Sequence, residues 1–286
     1  MTQKILSPLS QTVTLEIDGQ KPIVWGKADQ WVLFAGPDIF ESDSLVREVA
    51  AELKSVTSDL GIPWILKCSF DKANRQSAKS FRGVGVSQTL RSLQKIKEDY
   101  KCALVTDVHD VEQVKMVAEV TDVMQIPAFL CRQTDLVQTA AATGKILHIK
   151  KGQFMAPWDM GSIVEKAKAV GNSKVLLCER GSSFGYNRLI NDMTSLVEMR
   201  KFGVPVVMDA THSVQLPGGK GESSDGRREM IAVLARAAMA VGIDGLFLET
   251  HPDPDKALCD GPNSLHLKDM RDLLSRLQKI WLALKN

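Results

Sequence analysis

The sequence predicts an α/β protein with a (β/α)₈ TIM barrel, and three observations lead to this fold class. Eight short apolar segments of strand length alternate with amphipathic segments of helical period along most of the chain. The strand segments are apolar at successive positions, which is typical of parallel strands that are buried on both faces. The chain has 286 residues, a common length for a barrel of about 250 residues with a short extension.

The predicted strands are short runs of mostly apolar residues, at 31–35, 64–68, 103–107, 123–126, 146–150, 175–178, 204–208 and 245–248. The predicted helices lie between and after them, at 45–59, 86–99, 111–120, 135–143, 160–170, 227–241 and 268–285. A doubly wound open sheet is the competing arrangement, but such sheets normally carry a glycine-rich turn after the first strand. The segment Gly36-Pro37-Asp38 does not match G-x-G-x-x-G, which favours the barrel.

A β-hairpin is predicted before the first barrel strand. Val13, Leu15 and Ile17 alternate with polar residues, Asp18-Gly19 is a turn signal, and Ile23–Trp25 forms a second apolar run. We therefore expect residues 1–30 to be an N-terminal hairpin extension that closes the floor of a barrel formed by residues 31–286. No low-complexity linker divides the chain, so we expect a single domain overall.

Composition and charge argue against several classes of partner. The chain carries 36 Lys and Arg residues against 34 Asp and Glu residues, a net charge of +2, so neither nucleic acid nor a membrane surface is expected as a partner. The start of the chain lacks a basic head followed by an apolar stretch, and no apolar run reaches about 18 residues. The five cysteines form no C-x-x-C pair, which predicts reduced thiols and a cytoplasmic protein.

Polar residues stand at the end of every predicted strand. The carboxyl ends of barrel strands meet on one face, which carries the active site. The strands and the segments after them deliver Asp38, Lys67, Lys72, Asn74, Arg75, Asp107, His109, Gln125, Lys150, Glu179, Arg180, Asp209, His212, Glu249 and His251. The cations in this set would repel one another unless anions bind, so they indicate phosphorylated or carboxylated substrates. A solvated basic rim is the alternative.

A second cluster combines one imidazole with three carboxylates, those of Asp38, His212, Glu249 and Asp260. Such a set suits a divalent metal ion. It equally suits proton transfer around a bound water. Spacing along the chain does not distinguish the two interpretations.

Several long motifs occur in a fixed order. The most specific is KCSFDKANR at residues 67–75. The others are TDVH at 106–109, QIPAFLCRQTDL at 125–136, CERG at 178–181, DATH at 209–212, ETHPDP at 249–254 and CDGP at 259–262. In these motifs the chain, from about residue 31 onward, resembles the 3-deoxy-D-manno-octulosonate 8-phosphate synthases, also called 2-dehydro-3-deoxyphosphooctonate aldolases. The resemblance implies a transferase that condenses phosphoenolpyruvate with arabinose 5-phosphate in lipopolysaccharide (KDO) biosynthesis.

The resemblance also implies roles for individual residues. It assigns phosphoenolpyruvate binding to Lys67, Lys72, Gln125, Ala128, Lys150 and Arg180. It assigns arabinose 5-phosphate binding to Asn74, Arg75, Gln76, Asp107 and Arg132. We expect catalysis to involve Asp38, Lys72, His212, Glu249 and Asp260. In the family, the residue at Arg132 reaches the sugar phosphate of a neighbouring subunit, which implies a homo-oligomer, usually a tetramer. His212 is the candidate for proton transfer near carbon 2 of phosphoenolpyruvate. The alternatives are that His212 is a metal ligand or a structural histidine.

Two other functions remain open at this point. Related aldolases that extend erythrose 4-phosphate carry a Lys-Pro-Arg motif, where this chain has Lys72-Ala73-Asn74-Arg75. A catalytically retired barrel used for binding is the second alternative, although retired enzymes lose charged residues that this chain retains.

The chain departs from the family at two places that affect the site, Asp38 and Gln76. Metal-requiring members have Cys at the position of Asp38 and metal-free members usually have Asn, so Asp38 matches neither group. A Mn or Mg ion held by the second cluster stays possible, but the CDGP motif accompanies metal-free members, and no cofactor is favoured. Gln76 replaces the usual Ser. Residues 213–226 are rich in glycine and predict a lid or a disordered loop.

Overall fold

Eight parallel strands form a closed barrel in the computed structural model, which describes residues 9, 12–27, 30–75, 77–218 and 225–285. The barrel strands are β3 (Val32–Gly36), β4 (Trp64–Lys67), β5 (Ala103–Asp107), β6 (Val123–Ile126), β7 (Ile146–Lys150), β8 (Val175–Glu179), β11 (Val206–Asp209) and β14 (Gly245–His251). Each pairs in parallel with the next, and β14 pairs with both β11 and β3, so the sheet closes on itself. The predicted fold class is confirmed.

One α-helix follows each barrel strand in the described residues. The helices are α1 (Asp43–Leu60), α2 (Val86–Tyr100), α3 (Val111–Val120), α4 (Thr134–Ala142), α5 (Met160–Lys168), α6 (Thr194–Arg200), α7 (Ile231–Val241) and α8 (Met270–Ala283). Local sequence sets their ends: Ser42 caps α1 by accepting a hydrogen bond from the Leu45 N–H at 3.2 Å. Helix α6 is not among the predicted helices, because two turns are too few to show a helical period.

The predicted hairpin is confirmed and lies on the barrel floor. Strands β1 (Val13–Leu15) and β2 (Ile23–Trp25) pair antiparallel, and Gly19 takes the left-handed conformation that the turn requires, with φ of 70°. Trp25 is fully buried and stacks on Phe34 with ring centroids 5.9 Å apart. The hairpin thus joins the apolar core inside the barrel at the amino ends of the strands.

Alternation along the barrel strands separates an inner core from an outer one. On β5, Ala103 and Val105 belong to the inner core, and Leu104 packs outward under the helices. Continuing this period of two, Asp107 points inward at the carboxyl end. The same alternation carries Ile146 and Lys150 inward on β7. Polar residues at the strand ends therefore converge on one end of the barrel.

Short strands organise the loops around that end. They are β9 (Ser182–Ser183) with β10 (Leu189–Ile190), β12 (Gln215–Leu216) with β13 (Asp225–Gly226), and β15 (Leu265–His266) beside β14. Strands β12 and β13 form the base of the segment predicted as a lid, and its residues 219–224 lie outside the described residues. Among the helices of the described ranges, none has the length and apolar character needed to cross a membrane.

Candidate active site

A cavity of about 330 Å³ opens at the carboxyl ends of the barrel strands. Most of the predicted site residues line it: Lys72, Asn74, Arg75, Asp107, Gln125, Ala128, Lys150, Arg180, His212, Glu249 and Asp260. Asp38 and Lys67 are buried beside it and contact lining residues. Gln76 lies outside the described residues. Residues distant in the chain therefore meet in one site, as the strand-end argument predicts.

The buried ammonium group of Lys67 ties two carboxylates together below the cavity. Its Nζ donates to the Glu249 Oε1 at 2.5 Å and to the Asp38 backbone oxygen at 2.6 Å. Lys67 also lies 3.4 Å from the Asp38 Oδ1, and Lys72 forms an ion pair with the same oxygen. The close packing of strands β3 and β4 depends on Gly36, since a Cβ there would lie 2.0 Å from the Lys67 carbonyl oxygen.

The two carboxylates of this network have opposite pKa shifts. Burial opposes ionisation of Asp38, but the charges of Lys72 and Lys67 outweigh it and hold the Asp38 pKa well below its usual range. Burial and the neighbouring charge of Asp38 raise the pKa of Glu249. Asp38 is therefore the ionised partner of the lysines, and Glu249 is the carboxylate that holds a proton more readily.

Asp209 links two further basic groups of the site, Lys150 and His212. Its fully buried Oδ2 accepts from the Lys150 Nζ at 2.5 Å and faces the His212 Nδ1 at 2.8 Å. Despite burial, the electrostatic and hydrogen-bonding contacts with His212 and Lys150 keep the Asp209 pKa well below its usual value. With Nδ1 engaged, the His212 Nε2 faces the Glu249 Oε2 at 3.4 Å and the Asp260 Oδ2 at 3.9 Å. The sequence indicated Asp209 by its position at the end of a predicted strand. Only the structure shows that Asp209 contacts both Lys150 and His212.

The charges at the mouth are interleaved, which differs from the repelling cations expected from sequence. Lys67, Lys72 and Lys150 each contact a carboxylate. Repulsion among them therefore does not by itself require an anionic ligand. Arg180 differs: its nearest hydrogen-bond partner is the neutral Gln215 side chain, at 3.2 Å.

Two guanidinium groups retain unused donors. The buried Arg180 Nη1 has no hydrogen-bond partner among the described residues, and burial lowers the Arg180 pKa. The Arg75 Nε is likewise buried without a partner there, while its Nη1 contacts the Cys259 Sγ at 2.6 Å. A buried donor without a partner is costly. These two arginines are therefore the most suitable anion ligands in the cavity.

An Asp–His pair forms another part of the wall. The His109 Nε2 lies 2.8 Å from the Asp107 Oδ2. Burial alone would lower the His109 pKa, but the charge and hydrogen bond of Asp107 raise it. The same pairing, with help from Lys72, lowers the Asp107 pKa against the effect of burial. Asp107 is therefore a fixed negative acceptor facing the cavity.

Some predicted residues lie elsewhere, and other lining residues were missed. Glu179 and His251 do not line the cavity; Glu179 contacts Lys151 and Ser195 instead. Arg132 is exposed just before α4 and is not a lining residue. The lining residues absent from the predicted set are Phe129, Leu130, Pro127, Gln153, Gln215, Pro217, Cys259 and Ala73. They come from the connections after the barrel strands, including the short 3-10 helix Ala128–Leu130 and strand β12, which are too short for a period in the sequence to indicate which side chains face inward.

The second cluster fits a divalent ion. Asp38, His212 and Asp260 present ligand atoms that all lie within 4.8 Å of one another. The Asp38 Oδ2 and the Glu249 Oε2 are buried without a hydrogen-bond partner among the described residues. An imidazole nitrogen with carboxylate oxygens is a donor set suited to Mn²⁺ or Mg²⁺. Lys67 and Lys72, however, already bring two positive charges to Asp38.

The closed barrel and the charged cavity at the carboxyl ends of its strands define the class of protein, a (β/α)₈ barrel enzyme. The sequence model of the DAHP synthetase I family matches residues 13–285. Curated relatives with similar sequences share one name, 2-dehydro-3-deoxyphosphooctonate aldolase. The chain belongs to this family, and within it to the 2-dehydro-3-deoxyphosphooctonate aldolases. The resemblance identified in the motifs is thereby confirmed.

Three relatives illustrate the similarity. The aldolase of Acidithiobacillus ferrooxidans is 56% identical over 261 residues, 91% of this chain and 93% of that protein. The aldolase of Dichelobacter nodosus is 53% identical over 268 residues, 94% of both chains. The aldolase of Coxiella burnetii is 55% identical over 254 residues, 89% of this chain and 91% of that protein.

Proposed function

We propose that this enzyme condenses phosphoenolpyruvate with D-arabinose 5-phosphate and water, giving 3-deoxy-D-manno-octulosonate 8-phosphate and inorganic phosphate for KDO biosynthesis. One observation carries the proposal: a single cavity is lined by members of both predicted ligand sets, in a chain 53% to 56% identical to octonate aldolases. The name of those relatives, 2-dehydro-3-deoxyphosphooctonate aldolase, describes a phosphorylated deoxy-octonate, the kind of product that this reaction forms.

Phosphoenolpyruvate is assigned to the side of the cavity around Arg180. The unused Nη1 of that guanidinium can bind phosphate or carboxylate, together with Lys150 and Lys72. Gln125 and the Ala128 backbone contribute neutral hydrogen-bonding groups. Lys67 is buried beneath and acts on the ligand through its charge, because its ammonium group is already bonded to Glu249 and Asp38.

Arabinose 5-phosphate is assigned to Asn74, Arg75 and Asp107. The unused Arg75 Nε supports phosphate binding by this guanidinium. The amide of Asn74 and the ionised Asp107 suit sugar hydroxyl groups. Gln76 and Arg132 belong to the proposed sugar-phosphate site through the family pattern, with Arg132 acting on a neighbouring subunit.

The proposed reaction develops charge at two positions that the site can stabilise. Carbon 3 of phosphoenolpyruvate attacks the sugar aldehyde, water adds to carbon 2, and the tetrahedral intermediate expels phosphate by C–O cleavage. Lys72 is assigned to the developing charge on the aldehyde oxygen; burial opposes its charge, but Asp38 raises the Lys72 pKa and keeps it protonated. His212, oriented by Asp209, is assigned to accept the proton of the attacking water through Nε2. Glu249 and Asp260 face that nitrogen.

Metal independence is part of the proposal. A divalent ion, if bound, would be held by Asp38, His212, Glu249 and Asp260 and would supply Lewis acidity. The ammonium groups of Lys67 and Lys72 already provide positive charge beside Asp38. We therefore propose that turnover requires no cofactor.

We further propose a homotetramer in the cytoplasm, with a single-domain subunit and neither nucleic acid nor membrane as partner. The loops that follow the neighbouring strands β6, β7 and β8 each expose an aromatic side chain, Phe129 at 55%, Trp158 at 66% and Phe184 at 69%. Exposed aromatic side chains are enriched at subunit interfaces. All five cysteines lie in the described residues, are buried and are free thiols, which supports a reducing compartment.

Phosphate release from phosphoenolpyruvate is the measurement that tests the function. It is followed with arabinose 5-phosphate or erythrose 4-phosphate, with and without a chelator. We expect turnover only with the five-carbon sugar, unaffected by the chelator. Turnover only with erythrose 4-phosphate would favour the related aldolase type. Loss that manganese restores would contradict metal independence, and no turnover with either sugar would favour the retired barrel.

A further inference from the structure

A buried imidazole lies on the interior of the barrel directly below the cavity. His148 is fully buried on β7, two residues before Lys150. Its ring stacks between Phe34, at 4.9 Å and 10°, and Phe247, at 5.7 Å and 17°. Because aromatic rings cover both faces, only the two nitrogen atoms at the ring edge can form hydrogen bonds.

One of these nitrogens contacts a cavity residue. The His148 Nδ1 lies 3.2 Å from the Gln125 Oε1, and the two residues are direct partners in the register of β6 and β7. An amide oxygen can only accept, so the imidazole donates from Nδ1. The His148 Nε2 is then an acceptor, and it is buried without a partner among the described residues.

The environment keeps this imidazole neutral. Burial, and then the charge of Lys150, hold the His148 pKa well below its ordinary value, against a smaller opposing effect of Asp209. A neutral ring has one N–H only. That N–H is the one used on Gln125, so the hydrogen bond persists through the physiological pH range.

The contact determines which end of the Gln125 amide faces the cavity. With its oxygen bonded to His148, Gln125 offers its NH₂ group to a ligand. The reverse orientation would direct a carbonyl oxygen toward an anion, which is unfavourable. We propose that His148 is a positioning residue that orients the Gln125 amide as a hydrogen-bond donor to phosphoenolpyruvate. This inference rests on the proposed function, which assigns Gln125 to that substrate.

A pair of substitutions separates hydrogen bonding from packing. His148→Phe keeps an aromatic ring between Phe34 and Phe247 but removes the donor. His148→Asn sacrifices the stacking but places an amide N–H close to the Nδ1 position. We expect His148→Phe to raise the KM for phosphoenolpyruvate about tenfold to a hundredfold, the effect of losing one hydrogen bond to a charged group. The KM for the sugar phosphate and kcat should change less than about threefold, and His148→Asn should restore most of the affinity.

The reverse pattern would overturn the inference. If His148→Phe had a near-normal KM for phosphoenolpyruvate and His148→Asn had a raised one, the ring of His148 would contribute packing only. An equal rise in both KM values would exclude selective positioning. In a Gln125→Ala background, His148→Phe should add nothing to the KM for phosphoenolpyruvate; additive losses would contradict the coupling.

A measurement on the unsubstituted enzyme covers the case in which a variant does not fold. ¹⁵N spectra of histidine-labelled protein should show His148 as the neutral Nδ1–H tautomer between about pH 6 and pH 8. An Nε2–H tautomer, or protonation in this range, would overturn the inference. Wild-type enzyme without turnover would instead refute the proposed function, and the spectra would still report on the His148 contact.

Discussion

Replacement of Lys151 by methionine removes a fully buried charge at the junction of two active-site loops. The Lys151 Nζ donates to the Ser182 Oγ at 2.9 Å and lies 3.4 Å from the Glu179 Oε1. It also contacts the carbonyl oxygens of Gly152, Met155 and Gly181 at 3.3 to 3.4 Å. One ammonium group thus holds together the loops that follow β7 and β8.

The expected loss of stability depends on the hydrogen bonds that Glu179 keeps when Lys151 is replaced. Removing one partner of a buried ion pair costs about 3–5 kcal/mol, because the other charge stays buried. Glu179 retains hydrogen bonds from the Arg180 N–H at 2.9 Å, the Gly181 N–H at 2.6 Å and the Ser195 hydroxyl at 2.6 Å. Methionine also has a similar volume, so no large cavity forms. We therefore expect the free energy of unfolding to fall by about 3 kcal/mol, the lower end of that range.

Urea denaturation measures this loss, with Lys168→Met as the matched control. Lys168 contacts Glu165 at 3.0 Å on the surface, with side chains 42% and 69% exposed, and exposed pairs contribute at most about 1 kcal/mol. The two variants should show similar m values. A loss below about 1 kcal/mol for Lys151→Met, or a loss equal to that of the control, would refute the reasoning.

Three further predictions concern the site. Arg75→Ala should raise the KM for arabinose 5-phosphate far more than that for phosphoenolpyruvate in steady-state kinetics; equal losses would contradict its assignment to the sugar phosphate. Asp209→Asn should lower kcat by about 10²- to 10⁴-fold, because His212 loses the carboxylate that orients it; a kcat within about threefold of wild type would exclude this role. His109 has a raised pKa through Asp107, so its stabilisation is present below the unfolded-state pKa of about 6.5 and is lost as pH rises through the folded-state pKa. The urea concentration at the unfolding midpoint should therefore decrease as the pH rises from about 6 to about 9. The His109→Gln variant should lack the part of this decrease that comes from His109, and identical pH dependence in both proteins would contradict the linkage.

The secondary structure of the barrel could be read from local sequence because it follows simple periods. Strands β5, β6 and β7 have the predicted bounds, since each is an apolar run between polar turns. Strand ends were less predictable where tertiary pairing extends them: β14 continues to His251, so Glu249 and His251 lie within the strand. The carboxyl end of β14 is extended by pairing with β15, which begins 14 residues later in the chain than the last β14 residue, so the residues of β14 alone do not indicate it.

The location of the site was also predictable, because barrel topology collects all carboxyl strand ends on one face. Lys150 and Asp107 belong to the cavity because they continue the inward-facing positions of β7 and β5 at the carboxyl ends of these strands. Glu179 and His251 show the limit of this argument. Each is the last residue of a barrel strand, but neither side chain lines the cavity.

By itself, the sequence determined the barrel, the floor hairpin and the set of charged groups at the mouth, because periodicity and motif order are properties of a linear chain. Only the tertiary structure decided which charges pair. Lys67 bonds to Glu249 across 182 positions, and Lys150 bonds to Asp209 across 59. These contacts set the pKa directions and leave Arg180 and Arg75 with unused donors. The physical reason is that electrostatic interactions depend on distances of a few ångströms and on burial, and both arise only when the strands close into a barrel.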